Sequence, residues 1–141
     1  MPLPTISPQR EAPLLLRILV VDAHTAFRQA LAYVLEQEPD FTVVAQAGGL
    51  ADARDTLEGV DVAIVELQLA DGSGCDLVRP FCATNPRGAV LILTAIRDAR
   101  DSAQAMLAGA AGVVHKSVGI TEIISAVRCL GLGQVLLAPT I

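Results

Sequence analysis

A length of 141 residues allows one domain around a single core, and a net charge of -5 excludes a chain that grips nucleic-acid phosphates unaided, which needs a basic footprint. Hydrophobic residues make up 52% of the chain but aromatics only 3%, with no Trp, so the core must be aliphatic, which favours strands buried on both faces under helices. Cys75, Cys82 and Cys129 lack metal-ligand spacing and read as free thiols of a reducing compartment, while Leu14 to Val21, cut by Arg17 and closed by Asp22, is too short to span a bilayer. A cytoplasmic protein is expected.

Residues 1–15 carry Pro2, Pro4, Pro8 and Pro13 among polar residues and are expected to be a flexible extension. The domain is expected over 16–137, with 138–141 as a tail or the start of a linker. Arg17 to Val21 reads as a buried strand that ends in Asp22-Ala23-His24. Thr25 is expected to cap the following helix, whose Phe27, Leu31, Val34 and Leu35 form an apolar stripe. Glu38-Pro39-Asp40 breaks that helix, Phe41 to Ala45 makes a second strand, and Gly48-Gly49 turns the chain into a short helix with Leu50, Ala53 and Leu57 on one face. Gly59 stops it.

Val60 to Leu67 is the third strand and brings Glu66 to its end, followed by Asp71-Gly72-Ser73-Gly74, where Asp71 has a turn or capping role. Leu77, Val78 and Phe81 mark a third helix ending near Asn85-Pro86; Ala89 to Leu93 is a fourth strand that delivers Thr94. A helix with Ala103, Met106 and Leu107 closes at Gly109, and Gly112 to His115 is a fifth strand that delivers Lys116. Thr121 is expected to cap a last helix with Ile120, Ile123, Ile124, Val127 and Leu130 as its apolar stripe. The tail Val135-Leu136-Leu137 would pack on the domain or on a partner subunit.

Five strands alternating with helices call for a doubly wound α/β fold with a parallel sheet and right-handed crossovers. Functional groups in such sheets gather beyond the carboxyl ends of the strands. Asp22, Glu66, Thr94 and Lys116 would therefore meet in one cleft. His24 and His115, although adjacent in sequence, read as ordinary loop and strand residues rather than ligands.

The motifs Val20-Val21-Asp22-Ala23-His24, Leu67-Gln68-Leu69-Ala70-Asp71-Gly72-Ser73-Gly74, Leu93-Thr94-Ala95 and Ala108 to Lys116 resemble the receiver domain of bacterial two-component response regulators. The likeness is to the LuxR/NarL-like kind and runs from about Leu16 to Leu137. It implies a flavodoxin-like (CheY-like) five-stranded sheet of order 2-1-3-4-5 with five helices, and no enzyme activity. In that family an Asp at the end of the third strand accepts a phosphoryl group from a histidine kinase. Mg²⁺ is held there with an acidic pair after the first strand, a Lys pairs with the product anion, and a Thr or Ser with an aromatic ring forms the switch.

At these positions the chain has Glu66 as the phosphoacceptor equivalent, Asp22 with its pair partner replaced by Ala23, Thr94, Lys116, and Val113 where the aromatic ring belongs. The resemblance implies a Mg²⁺ site at Asp22, Glu66 and Gln68, weakened by these changes, so no cofactor is expected to be retained firmly. A shift of about 1 Å costs on the order of 100-fold in a phosphoryl-transfer site. A direct Glu66–Lys116 ion pair holding one conformation is expected instead.

The expected function is a degenerate receiver acting by protein–protein contact, with a homodimer as partner, a histidine kinase doubtful, no membrane, and DNA reached only through a helix-turn-helix domain not in this chain. The residues leave open whether the chain is shortened or a stand-alone receiver. The competing class is a flavodoxin-like small-molecule binder or phosphohydrolase. The second Asp of an Asp-x-Asp after the first strand is missing, and aromatics for a flavin are few.

Overall fold

The computed structural model describes residues 15–133, so most of the expected N-terminal extension, Val135-Leu136-Leu137 and 138–141 lie outside the described residues. In chain order the elements are β1 (Leu16–Val21), α1 (Thr25–Glu36), β2 (Phe41–Ala47), α2 (Leu50–Arg54), β3 (Val62–Glu66), the short β4 (Gln68–Leu69) and β5 (Gly72–Ser73), α3 (Val78–Thr84), β6 (Ala89–Thr94), α4 (Ala99–Ala108), β7 (Gly112–His115) and α5 (Ile120–Gly131). A 3-10 turn, Gly74–Leu77, leads into α3.

The main sheet is parallel with order β2-β1-β3-β6-β7, which counted over its own five strands is the expected 2-1-3-4-5. β3 lies at its centre and every residue from Val62 to Glu66 is buried, because helices cover both faces. On one face Leu19, Val21, Val65 and Ile92 pack with Ala53, Phe81 and Ala105 of α2, α3 and α4. On the other, Ile18, Val20, Ile64 and Leu91 pack with Leu31 and Leu35 of α1 and Ile123 and Val127 of α5. Residues alternate between these two cores along β1, β3, β6 and β7, as the period of two requires, while β2 changes sides at a register shift opposite Ile18 and Leu19.

Several local expectations change. Thr25 is the first residue of α1 rather than its cap; the extended cap position is His24, whose amide donates to Asp22 Oδ1 at 2.8 Å. Thr121 likewise lies inside the first turn of α5, and the Glu122 carboxylate accepts the Gly119 amide at 2.8 Å. On α4 the buried position is Ala105 with Met106 half-buried, whereas Ala103 and Leu107 share the opposite, exposed side and Leu107 is 86% exposed. Ala105 is two residues from both Ala103 and Leu107, a rotation of about 200° around the helix, so its stripe meets the sheet and theirs faces away.

Asp71 has the capping role its turn composition implied, but for a distant helix. Its carboxylate accepts the amides of Leu50 and Ala51 at 2.9 and 3.1 Å, at the start of α2, and these bonds hold Asp71 below the usual carboxylate range. Gly74 is required by contact: a Cβ there would run into the Glu66 carbonyl, so only glycine lets the chain after the β4–β5 hairpin return across the end of β3.

Candidate functional site

The cleft beyond β1, β3 and β7 is built by strand register. Val21 pairs with Val65, which brings Asp22, one residue past β1, beside Glu66 at the end of β3. Lys116 follows β7, and its amide donates to the Thr94 carbonyl at 2.8 Å. Asp22 is 1% exposed, Glu66 5% and Thr94 5%, so polar groups are held here against a substantial desolvation cost.

Lys116 Nζ lies 2.8 Å from Asp22 Oδ2 and 3.4 Å from Glu66 Oε2. The expected Glu66–Lys116 pair therefore exists as the longer of two contacts. The shorter one goes to Asp22, because the ammonium approaches across the ring of Phe27, 4.4 Å from its centroid, on the α1 side. Glu66 Oε1 accepts the Ala23 amide at 3.3 Å, and the Ala23 methyl adds no ligand. Asp22 Oδ2 is buried and has that ammonium as its partner.

Two acids facing one ammonium divide unequally. Burial pushes Asp22 up, but bonds from Lys116, from Glu66 and from the His24 amide, together with the Lys116 charge, outweigh it and hold Asp22 below its ordinary value. Glu66 is pushed up, by burial first and then by its hydrogen bond to Asp22 and the Asp22 charge; Lys116 and the Ala23 amide offset this only in part. Of the two acids Glu66 is the one shifted toward its protonated form, because the ammonium is closer to Asp22.

His24, read from sequence as an ordinary loop residue, belongs to the cluster. Its Nδ1 is 3.3 Å from Asp22 Oδ1, 3.7 Å from Glu66 Oε1 and 3.4 Å from Lys116 Nζ. Its place two residues after Asp22 was the available signal. Gln68 is exposed on β4, whose partner residue is Ser73, and lines an open cleft with Asp76, Asp101 and Gln104.

The Thr94 hydroxyl closes a small ring on its own loop, accepting the Ile96 amide at 3.0 Å and donating to the Ile96 carbonyl at 3.1 Å. Val113 is 2% exposed and is part of the aliphatic core. His115 ties two loops together: Nε2 donates to the Ala95 carbonyl at 3.0 Å, Nδ1 accepts the Ser117 amide at 3.0 Å, and Arg97 bonds the Ser117 hydroxyl at 3.0 Å.

A five-stranded parallel sheet of this order, with acids, a hydroxyl and a Lys at its carboxyl edge, defines a receiver. The model of the response regulator receiver domain matches residues 18–128, and the chain belongs to that family. It is 34% identical over 125 residues to the DNA-binding transcriptional activator DevR/DosR of Mycobacterium tuberculosis, covering 87% of this chain and 58% of the relative. It is 32% identical over 130 residues to the transcriptional regulatory protein UhpA of Escherichia coli, covering 90% and 64%. The chain thus spans about three-fifths of the length of these relatives.

Among solved structures, a LuxR-family response regulator from Aurantimonas superposes with a TM-score of 0.80 at 26% identity, over 86% of this chain and 88% of the other. The receiver domain of the response regulator NarL from Mycobacterium tuberculosis gives 0.81 at 27%, over 86% and 100%. The chain is a receiver domain of a two-component response regulator of the LuxR/NarL kind.

Mg²⁺, which the family implies, wants about six oxygens in near-ideal octahedral geometry. An acidic cluster is present, but both its carboxylates face the Lys116 ammonium, Ala23 supplies a methyl in place of a carboxylate, and the third side chain of the cluster, His24, offers an imidazole nitrogen. This donor set does not fit Mg²⁺.

Proposed function

We propose that this is a degenerate receiver that signals by protein–protein contact and dimerisation without phosphoryl transfer to a carboxylate. The observation that carries the reading is the Lys116 ammonium, 2.8 Å from Asp22 and 3.4 Å from Glu66. In the family a Lys at this position meets a phosphoryl oxygen; here it is engaged by two carboxylates already in the pocket. The Thr94 hydroxyl is committed to Ile96, and Val113 has no ring to reorient. A receiver of this kind takes its input from a partner or a ligand, with a histidine kinase of little account, and acts on DNA through a separate helix-turn-helix domain. A homodimer, a cytoplasmic location and the lack of a membrane role belong to the same proposal; no helix among the described residues is long and apolar enough to cross a membrane.

Incubation with Mg²⁺ and acetyl phosphate, or with beryllofluoride, is expected to leave the intact mass and the amide NMR spectrum unchanged. The double variant Glu66→Asp with Ala23→Asp is expected to regain a saturable response. A saturable adduct on the unaltered chain would overturn the proposal.

A further inference from the structure

Among the described residues β2 pairs only with β1 and forms one edge of the main sheet. Its residues, Phe41–Ala47, include no charge and no Pro, the residue classes that commonly keep a sheet edge from pairing with another chain. We infer that this edge is an interface for a second copy of the chain, joined antiparallel about a two-fold axis beside Val44, with Arg28 of each copy against Glu36 of the other. The inference deepens the homodimer of the proposed function and rests on that part of it. A dimer formed through another face would refute this interface and leave the proposed function standing, while a phosphoryl adduct would do the reverse.

The direction of the main-chain groups fixes which residues can pair. The Asp40 carbonyl accepts the Leu16 amide at 2.8 Å and the Ala47 carbonyl accepts the Asp22 amide at 3.0 Å, so both ends of β2 aim these groups inward at β1. Alternation along the strand then turns Val43 outward from one end and Gln46 outward from the other, with the extra residue of the register shift between them. The Val43 amide agrees, since it donates to Glu36 Oε2 at 2.8 Å. Laid antiparallel to itself, the edge sets Val43 opposite Gln46 of the second copy and Gln46 opposite Val43, with main-chain groups facing each other as a hydrogen-bonded pair requires. The shift then falls at the same height in both strands, so the break in one ladder matches the break in the other. Val44, at this midpoint, is 46% exposed and would be covered.

Charge selects the same arrangement. Arg28 and Glu36 are separated by about 12 Å along α1, with buried Ala32 midway. Arg28 reaches Gln46 Oε1 at 3.4 Å and the Asp22 carbonyl at 2.8 Å, while Glu36 holds the Val43 amide, so a cation and an anion stand over the two outward-facing positions. Among the described residues neither has an opposite charge within ion-pair distance. A two-fold axis through the middle of the edge brings each Arg28 to Glu36 of the other copy. A parallel pairing would instead carry the two α1 helices to opposite faces of the joined sheet and leave both charges alone. Glu36 therefore covers the Val43 amide in a single chain and exchanges it for Arg28 of the second copy, which frees that amide for the Gln46 carbonyl across the seam.

The test measures self-association of the 141-residue chain by sedimentation equilibrium, with amide hydrogen exchange followed by NMR at low and high concentration. A dimer is expected in which the Gln46 amide exchanges on the order of tenfold more slowly at high concentration than at low. Gln46→Pro deletes an amide that points away from β1, a place where an edge strand tolerates Pro, and should weaken the dimer by about tenfold with the monomer fold kept. Glu36→Arg, at an exposed position, sets Arg against Arg and should weaken it by a similar factor of about ten; adding Arg28→Glu, with folding checked by NMR, should recover most of that loss. A chain that stays monomeric up to about 1 mM, a dimer unmoved by Gln46→Pro, or a folded double variant no tighter than Glu36→Arg alone would each overturn the inference.

Discussion

Two acids, one base and an aromatic ring occur together twice among the described residues, at opposite ends of the sheet. At the carboxyl end Lys116 holds Asp22 and Glu66 with the Phe27 ring beneath it. At the amino end Arg128 of α5 gathers Glu38 and Asp40 at 2.9 Å each, with its guanidinium 4.8 Å from the Phe41 ring. The ingredients match and the surroundings differ. The Arg128 side chain is 40% exposed, so water shares the charges; the planar guanidinium bonds both acids, Asp40 is held below its ordinary value by that bond, and Arg128 is raised by the same partners. The Lys116 side chain is 13% exposed and its ammonium is a point charge, and the two acids are shifted in opposite senses, Asp22 down and Glu66 up. The wet cluster straps α5 to the loop before β2, while the dry one is chemically uneven.

The sharpest way to break this contrast is to remove each cation in turn. Lys116→Met leaves two buried carboxylates without a counter-charge and should cost about 3–5 kcal/mol at pH 7 in urea unfolding, with a smaller loss in acid as the carboxyls take up protons. A cost below about 1 kcal/mol would show that the pocket is wet. Glu66→Gln should stabilise the protein by about 1 kcal/mol at neutral pH, because it removes the acid whose ionisation the fold resists. The sign follows from linkage. Glu66 is raised above its ordinary 4.5, so the folded state binds the extra proton, and stability falls as pH rises from about 4.5 through the raised value. That decline should vanish in Glu66→Gln. Asp22 acts in the opposite sense: the stability it contributes is present above its ordinary 3.8 and is lost as pH falls through its lowered value. Arg128→Met, which keeps an apolar stem near Phe41, should cost the least, up to about 1 kcal/mol, and less in high salt.

The fold was legible because four strands carry an aliphatic run that leads to a polar residue: Val21 then Asp22, Val65 then Glu66, Leu93 then Thr94, and Val114 then, past His115, Lys116. Knowing that the sheet is parallel is enough to place those four residues along one edge. What they do to one another depends on angles and rotamers that spacing does not carry. The preference of Lys116 for Asp22 comes from its path over Phe27, the inclusion of His24 from the extended backbone before α1, and the engagement of Thr94 from its own loop closing on Ile96. Asp71 bonds amides about 20 residues earlier in the chain, a contact that exists only once β3 has been laid beside β1. The caps at Thr25 and Thr121 failed for a local reason: an extended residue stands one or two places before each, and the helix starts there.

The His115 clasp has a consequence for how this protein opens. One imidazole bonds the Ala95 carbonyl through Nε2 and the Ser117 amide through Nδ1, so the loop before α4 and the loop before α5 share a fastener, with the Arg97–Ser117 bond beside it. Neither can swing out without breaking that fastener, and the two form one cooperative unit for local unfolding. Where a ring at position 113 would turn over alone inside the core, movement here takes both loops at once and alters the surfaces of α4 and α5 in the same step.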